Sequence, residues 1–254
     1  MSLFISFEGG EGSGKTTQAE ILAERLRAAG FSVLPVHEPG TTPLGNYLRI
    51  WLRREYRKEE AVSHDAELLL FAAARAELVA KGIKPALQQN RMVVIADRYA
   101  DSTTAYQGYG RRIRLEYVKV VNSLATQGVI PDLTLLLDCP PEEGLKRVQS
   151  KLPLEPAQPR LVSRMDEEGT RRFEEETRDF HERVHRGYLK LAQQEPDRWR
   201  VIDATKSIDE ISDTVWRHVQ QLLARDLPED APDLNFKSSP QGRLKRGPRR
   251  SKPS

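Results

Sequence analysis

Five short apolar runs, at residues 3–8, 33–37, 92–97, 133–138 and 199–202, punctuate the chain. Their length and their bounding by polar or glycine-containing sequence predict buried strands. Between them, near residues 45–55, 64–90, 114–128, 141–150, 168–195 and 207–225, apolar residues recur at helical spacing. Strands separated by helices of this length need parallel crossovers, so the pattern predicts an open, five-stranded parallel α/β sheet with helices on both faces. There is no internal repeat.

The junction after the first run carries the clearest chemistry. Gly9, four residues, then Gly14, Lys15 and Thr16 match the G-x-x-x-x-G-K-[ST] phosphate loop. A strand precedes it, and a helical stretch with Ile21, Leu22 and Leu26 follows, ending at Gly30. In a P-loop NTPase fold, backbone N–H groups of Gly9, Gly10, Glu11, Gly12, Ser13, Gly14, Lys15, Thr16 and Thr17 cradle nucleotide phosphates at a helix N-terminus. Lys15 then reaches the β- and γ-phosphates of ATP and Thr16 a bound Mg²⁺.

Ligands of such sheets gather beyond the carboxyl ends of the strands. The second run leads into His37, Glu38, Pro39 and Gly40, the third into Asp97, Arg98 and Tyr99, and the fourth into Asp138. One aspartate there is often a helix cap and one arginine a surface ion pair, but four polar ends beside a phosphate loop read as a site. Asp97 is placed to hold a metal-bound water, and Arg98 offers a planar fork for phosphate oxygens.

Composition sets the bounds. The 254 residues are 38% hydrophobic and suffice for one full core, with a domain expected over residues 1–225. The net charge of +3 conceals a split: the last 18 residues hold seven basic and no acidic side chains, leaving residues 1–236 at −4. Residues 226–254, rich in Pro, Gly and Ser, are expected to be a basic, disordered tail. A solvated extension outweighs nucleic-acid contact as its reading. One cysteine excludes a disulfide framework, and no apolar run approaches the roughly 20 residues that span a bilayer, so the expectation is a soluble cytoplasmic protein.

Taken together, GGEGSGKTT, EPGTTPLG at 38–45, LLFAAARAELV at 69–79, DRYADSTTAYQG at 97–108, PDLTLLLDCPPEEGLKR at 131–147, and RFEEE followed by Tyr188 resemble bacterial thymidylate kinases in order and spacing. The resemblance implies transfer of the ATP γ-phosphate to deoxythymidine monophosphate, with Mg²⁺, in a homodimer packed through the helices near 64–90 and 114–128. It implies that Phe71 stacks on thymine, that Arg75 reaches the base carbonyl or the monophosphate, and that Arg98 clamps the acceptor phosphate. Ser102 and Thr103 then lie at the base edge with Gln107 beside them, Tyr106 crowds the 2′ position of the sugar, and Glu38 and Pro39 border the acceptor. Glu11 resembles the carboxylate near the 3′-hydroxyl and the metal. By spacing alone, Phe71 and Tyr106 read equally well as core residues.

The chain departs from the family pattern in places. His37 stands for an arginine, Thr41 for a glycine, Arg171 for an acidic residue and His185 for an arginine, and a Pro-rich insertion occupies 153–163. The loop also lacks the arginine found there in one branch of the family. A mobile lid over about 147–172 is expected to supply that charge from Arg160 or Arg164, with Arg172 as a further candidate or an adenine-stacking residue. Solvated charges are the alternative for the lid arginines, and helix capping for Arg147. Two other functions stay open: a kinase for another nucleoside monophosphate or a deoxynucleoside, and a regulatory P-loop ATPase whose acceptor is water.

Overall fold

The computed structural model describes residues 2–54, 62–150, 173 and 176–226. Five strands, β1 (Ser2–Glu8), β2 (Ser32–His37), β3 (Met92–Asp97), β4 (Leu133–Asp138) and β5 (Trp199–Asp203), form one parallel sheet in the order β2-β3-β1-β4-β5. All five fall where the apolar runs predicted them, within one residue at each end. The chain leaves β1 toward the β2 edge, returns through β3, and crosses to β4 and β5. The carboxyl end of β1 thus sits at the reversal of winding where such sheets bind ligands.

Each strand residue faces one side of the sheet or the other. Leu3, Ile5 and Phe7 of β1, Val93 and Ile95 of β3, and Leu133, Leu135 and Leu137 of β4 meet α1 (Lys15–Ala28) and α9 (Ile208–Asp226) in one apolar cluster. The opposite face meets the remaining helices. There Phe4, Val94 and Ala96 pack on α3 (His64–Leu78), which continues through a π-helical turn (Val79–Ile83) into α4 (Lys84–Leu87). Leu136 and Trp199 pack on α8 (Arg178–Gln194). Between α4 and α8 in sequence lie α5 (Ala100–Thr103), α6 (Leu115–Thr126) and α7 (Pro141–Ser150); α2 (Pro43–Arg54) lies against α3.

Two helical expectations need correction. No helix was expected over 100–110, yet α5 runs into a π-helical turn (Thr104–Gly110), closed by Arg111 N donating to Tyr106 O at 2.8 Å. Polar residues dominate this segment, and its helicity comes from burial against α8 rather than from an apolar stripe. The helix expected over 168–195 is not continuous: Phe173 is helical, but residues 176 and 177 are not, and α8 begins afresh at Arg178, where the Thr177 side chain caps it by accepting from Phe180 N at 3.3 Å. Residues 168–172 lie outside the described residues, as does the expected tail beyond 226.

Candidate active site

The phosphate loop joins β1 to α1, and its shape follows from close approaches. A Cβ on Gly9, at φ 144°, would lie 2.6 Å from the Leu137 carbonyl oxygen. Gly12 and Gly144 of α7 meet backbone to backbone, so a Cβ on Gly12 would stand 2.1 Å from the Gly144 oxygen. Only glycine lets β4 at Gly9 and α7 at Gly12 seat directly against the loop. Lys15 folds back over it, donating to Gly10 O at 2.7 Å and lying 3.2 Å from Ser13 Oγ. Burial, then Arg98, pushes the Lys15 ammonium down to about 8 against the pull of Glu11, Asp97 and Glu8.

Thr16, at the start of α1, donates to Asp97 Oδ2 at 2.5 Å. This hydroxyl and carboxylate are hard oxygen donors side by side at the loop's mouth, a set that suits Mg²⁺. Among the described residues no group of three or more His, Cys, Asp or Glu could hold a metal. Mg²⁺ needs none, since nucleotide phosphates and waters complete its shell. Glu11, the third expected metal neighbour, is engaged elsewhere: it accepts from Arg98 at 2.8 Å and from the Tyr106 hydroxyl at 2.6 Å. Burial would raise its carboxyl, but Arg98, Lys15 and the Tyr106 hydroxyl together hold it below its usual range.

Arg98 sits at φ 72°, a left-handed conformation that costs a residue with a Cβ about 1–2 kcal/mol. Its surroundings impose it. The Arg98 N–H donates to Phe7 O at 3.0 Å, and the side chain turns back over the Tyr106 ring, 4.9 Å from the centroid. One terminal nitrogen, NH1, donates to Gly9 O at 3.0 Å and lies 3.3 Å from the Tyr188 hydroxyl and 3.4 Å from Ser102 Oγ; the other, NH2, holds Glu11. The guanidinium therefore has an edge anchored in protein and an edge on a carboxylate that a phosphate can displace.

Behind it lies a buried polar layer that spacing did not reveal. Glu8, 0% exposed, accepts from Tyr99 N at 2.8 Å, Ser102 Oγ at 2.5 Å and the Tyr188 hydroxyl at 3.1 Å. Burial first, then Asp101, pushes its carboxyl up to about 7. Arg75, 1% exposed, donates to Glu38 at 2.8 Å, Asn122 at 2.9 Å, Thr103 Oγ1 at 2.9 Å and Tyr99 O at 3.3 Å. The Glu38 carboxyl is raised by burial against the opposing pull of Arg75. Gln107 donates to Glu67 at 2.7 Å. Arg111 reaches Glu67 and Glu176 and lies over the Phe173 and Phe180 rings.

Helix α8 presents His181, His185 and Tyr188, at i, i+4 and i+7, toward the carboxyl ends of β1 and β4. His185 Nε2 is 2.6 Å from Asp138 Oδ1, so the residue standing for a family arginine pairs with the β4 end. His181 is 5% exposed, its Nε2 has no hydrogen-bond partner among the described residues, and burial lowers its pKa while Glu11 opposes. Phe71 faces the same region, its ring centroid 6.2 Å from Phe173, which packs edge-on to Tyr106 at 5.0 Å. At the β2 end, Thr41 holds φ 66° and its Oγ1 accepts from His37 N at 2.9 Å. Arg147 donates to Ala204 O and Glu143. Arg160, Arg164 and Arg172 lie outside the described residues.

The structure thus gathers Lys15, Thr16, Asp97, Arg98, Glu11 and Tyr106 at one mouth, and Arg75, Thr103, Glu38 and Ser102 directly behind it. Glu8, Asp101, Glu67, Arg111 and His181 escaped sequence reasoning. The one available signal was Glu8 ending a buried strand.

A phosphate loop opening α1, with Thr16 and Asp97 paired across it on a parallel sheet, defines a P-loop nucleotide-binding protein of the open α/β class. Comparison with known proteins narrows this. The thymidylate kinase family model matches residues 7–215. Thymidylate kinase of Thermomicrobium roseum is 44% identical over 225 residues, covering 89% of this chain and 98% of that protein. That of Syntrophotalea carbinolica is 48% identical over 216 residues, covering 85% and 94%. The crystal structure of thymidylate kinase from Ehrlichia chaffeensis superposes with a TM-score of 0.65 at 33% identity, covering 86% of this chain and 98% of that one. The chain belongs to the thymidylate kinase family.

Proposed function

We infer that the chain transfers the γ-phosphoryl group of ATP to deoxythymidine monophosphate, giving the diphosphate. One observation carries the site reading: Arg98, the acceptor-side cation, bonds the phosphate loop itself, through Gly9 O and Glu11. A cation that clamps the acceptor phosphate while bonded to the donor's loop brings the two phosphates together, as in-line transfer requires. Mg²⁺, when bound by Thr16 and Asp97, neutralises donor phosphate charge. Lys15 holds the same phosphates, Arg98 exchanges Glu11 for the acceptor phosphate, and Tyr106 fixes Glu11 beside the sugar. The acceptor oxygen is already anionic, so no strong base is needed. Arg160 and Arg164 are assigned to the transferred group because the loop offers no cation beyond Lys15. An acceptor panel, with phosphate release measured in its absence, tests the assignment: preference for adenosine or cytidine monophosphate, or release without acceptor, overturns it.

The partner is a second copy of the chain. Leu69 of α3 and Tyr117, Val120 and Leu124 of α6, the last 80% exposed, line two helices that pack side by side. Exposed apolar residues on two adjacent helices support an association surface, and Val120→Glu with Leu124→Glu should shift sedimentation from dimer to monomer. The single cysteine, Cys139, is buried and unpaired, which fits a reducing cytoplasm.

A further inference from the structure

We infer that Glu8 is a positioning residue for acceptor binding: through the hydroxyls of Ser102 and Tyr188 it fixes the anchored edge of Arg98. The inference rests on the reading of Arg98 as the acceptor clamp. A guanidinium can only donate hydrogen bonds. Both hydroxyls beside NH1, at 3.3 and 3.4 Å, must therefore turn lone pairs toward it and send their protons elsewhere. Glu8 Oε2 stands where those protons go, 2.5 Å from Ser102 Oγ and 3.1 Å from the Tyr188 oxygen, and the two hydroxyls are 2.8 Å apart. Burial pushes the Tyr188 phenol well up, so it remains a donor throughout. With Glu8 ionised, the polarity runs one way, from Arg98 through two hydroxyls to a carboxylate.

The other carboxylate oxygen sets the orientation. Oε1 accepts from the Tyr99 N–H at 2.8 Å, so Oε2 is the oxygen left for the hydroxyls. In Glu8→Gln the amide oxygen must stay on Tyr99 N, which directs the NH₂ group at Ser102 and Tyr188. That group donates, so neither hydroxyl can place its proton on residue 8; one can place it on the other, 2.8 Å away, and the remaining proton is left facing Arg98. The substitution keeps the shape and reverses the relay. The three relay groups come from β1, α5 and α8, so acceptor clamping is coupled to the seating of α8. The charged groups facing Glu8 are Arg98, Lys15 and Asp101, the last held by Arg198 at 2.7 and 2.9 Å.

The test is a double-mutant cycle of Glu8→Gln and Arg98→Met, read as KM for deoxythymidine monophosphate and for ATP separately. Glu8→Gln is expected to raise the acceptor KM about tenfold or more, as misplacement of a positioned group does, with the ATP KM held within about twofold. In the Arg98→Met background it should add nothing further. Multiplying effects, or a wild-type acceptor KM in Glu8→Gln, overturn the inference. An unchanged acceptor KM in Arg98→Met instead overturns the clamp reading itself. Should Glu8→Gln not fold, Tyr188→Phe removes a single relay oxygen; a rise in acceptor KM supports the relay and an unchanged one overturns it.

Discussion

The two faces of the sheet are built from the same strands to opposite purposes. On the α1 and α9 side β1 contributes Leu3, Ile5 and Phe7, and β4 contributes Leu133, Leu135 and Leu137, all buried in one apolar cluster. On the other side β1 contributes Phe4, Ser6 and Glu8, a gradient from apolar to ionisable along the strand toward the site. The first face needs no partner groups, because apolar burial is non-directional. The second must pair its buried donors and acceptors, which fixes hydroxyls, carboxylates and guanidinia in one arrangement. The second face has apolar clusters of its own, around Phe4 and Leu136, but it alone adds this fixed polar geometry toward the site.

The sharpest way to break this division is to damage the apolar face. Leu135, fully buried, should cost about 2–5 kcal/mol as Leu135→Ala, while the folded fraction keeps its acceptor KM. Urea unfolding together with kinetics below the transition checks this. A changed acceptor KM would show that the faces are not separable.

Lys15→Ala tests the opposite corner. Turnover should fall about 10²-fold or more with little change in melting temperature, because a preorganised charge at the transferred phosphate is lost. The wild type adds a pH signature. Lys15 must be protonated to attract phosphate, and in the free enzyme its pKa is lowered to about 8. Above that pH, kcat/KM for ATP should fall about tenfold per unit, since this parameter reports the free enzyme. Turnover itself should stay level to higher pH, because bound phosphate anions favour the ammonium. A kcat/KM that stays flat to pH 9.5 removes the buried, depressed lysine.

Tyr106 lies where the polar face meets the substrate. Its ring underlies Arg98 and its hydroxyl donates to Glu11, so Tyr106→Phe keeps the packing and deletes one bond to a charged group. About 1.5–3 kcal/mol of transition-state binding should be lost. Comparing kcat/KM for deoxythymidine monophosphate with that for its ribo analogue locates the loss. Equal losses for both assign Glu11 to the common 3′ side of the sugar; a selective gain for the ribo analogue assigns Tyr106 to the 2′ side.

The two faces also differ in how far the sequence exposed them. All five strands, the phosphate loop and the polar strand ends were legible because each is a local pattern, read within ten or so residues. The polar layer is not local. Glu8 meets Tyr188, Arg75 meets Glu38 and Asn122, and Arg198 meets Asp101, pairs separated by 37 to 180 positions. No period announces them. Family resemblance supplied Arg75, Ser102 and Thr103 as substrate neighbours; the structure adds that each is also held by buried protein partners, Ser102 and Thr103 accepting from arginines and Arg75 donating into the layer.

The smallest expected effect probes the middle of the gradient. Ser6 Oγ lies 3.1 Å from Thr134 Oγ1, fully buried, and Arg198 NH1 donates to the same Thr134 oxygen at 2.7 Å. The chain of bonds runs from Arg198 through Thr134 to Ser6, one layer below Glu8. Ser6→Ala removes the hydroxyl partner of Thr134 and should cost about 1 kcal/mol, the usual net worth of one buried hydrogen bond. If the layer acts only as filler, adding Thr134→Val should restore stability, since paired deletion of both partners can be nearly neutral. It should not restore it here, because Arg198 then loses an acceptor and is left with Asp101 and Glu195 alone. A double variant as stable as wild type, by chemical denaturation at pH 7, would show that the polar face below Glu8 is a core that happens to contain hydroxyls and not part of the framework that orients the site.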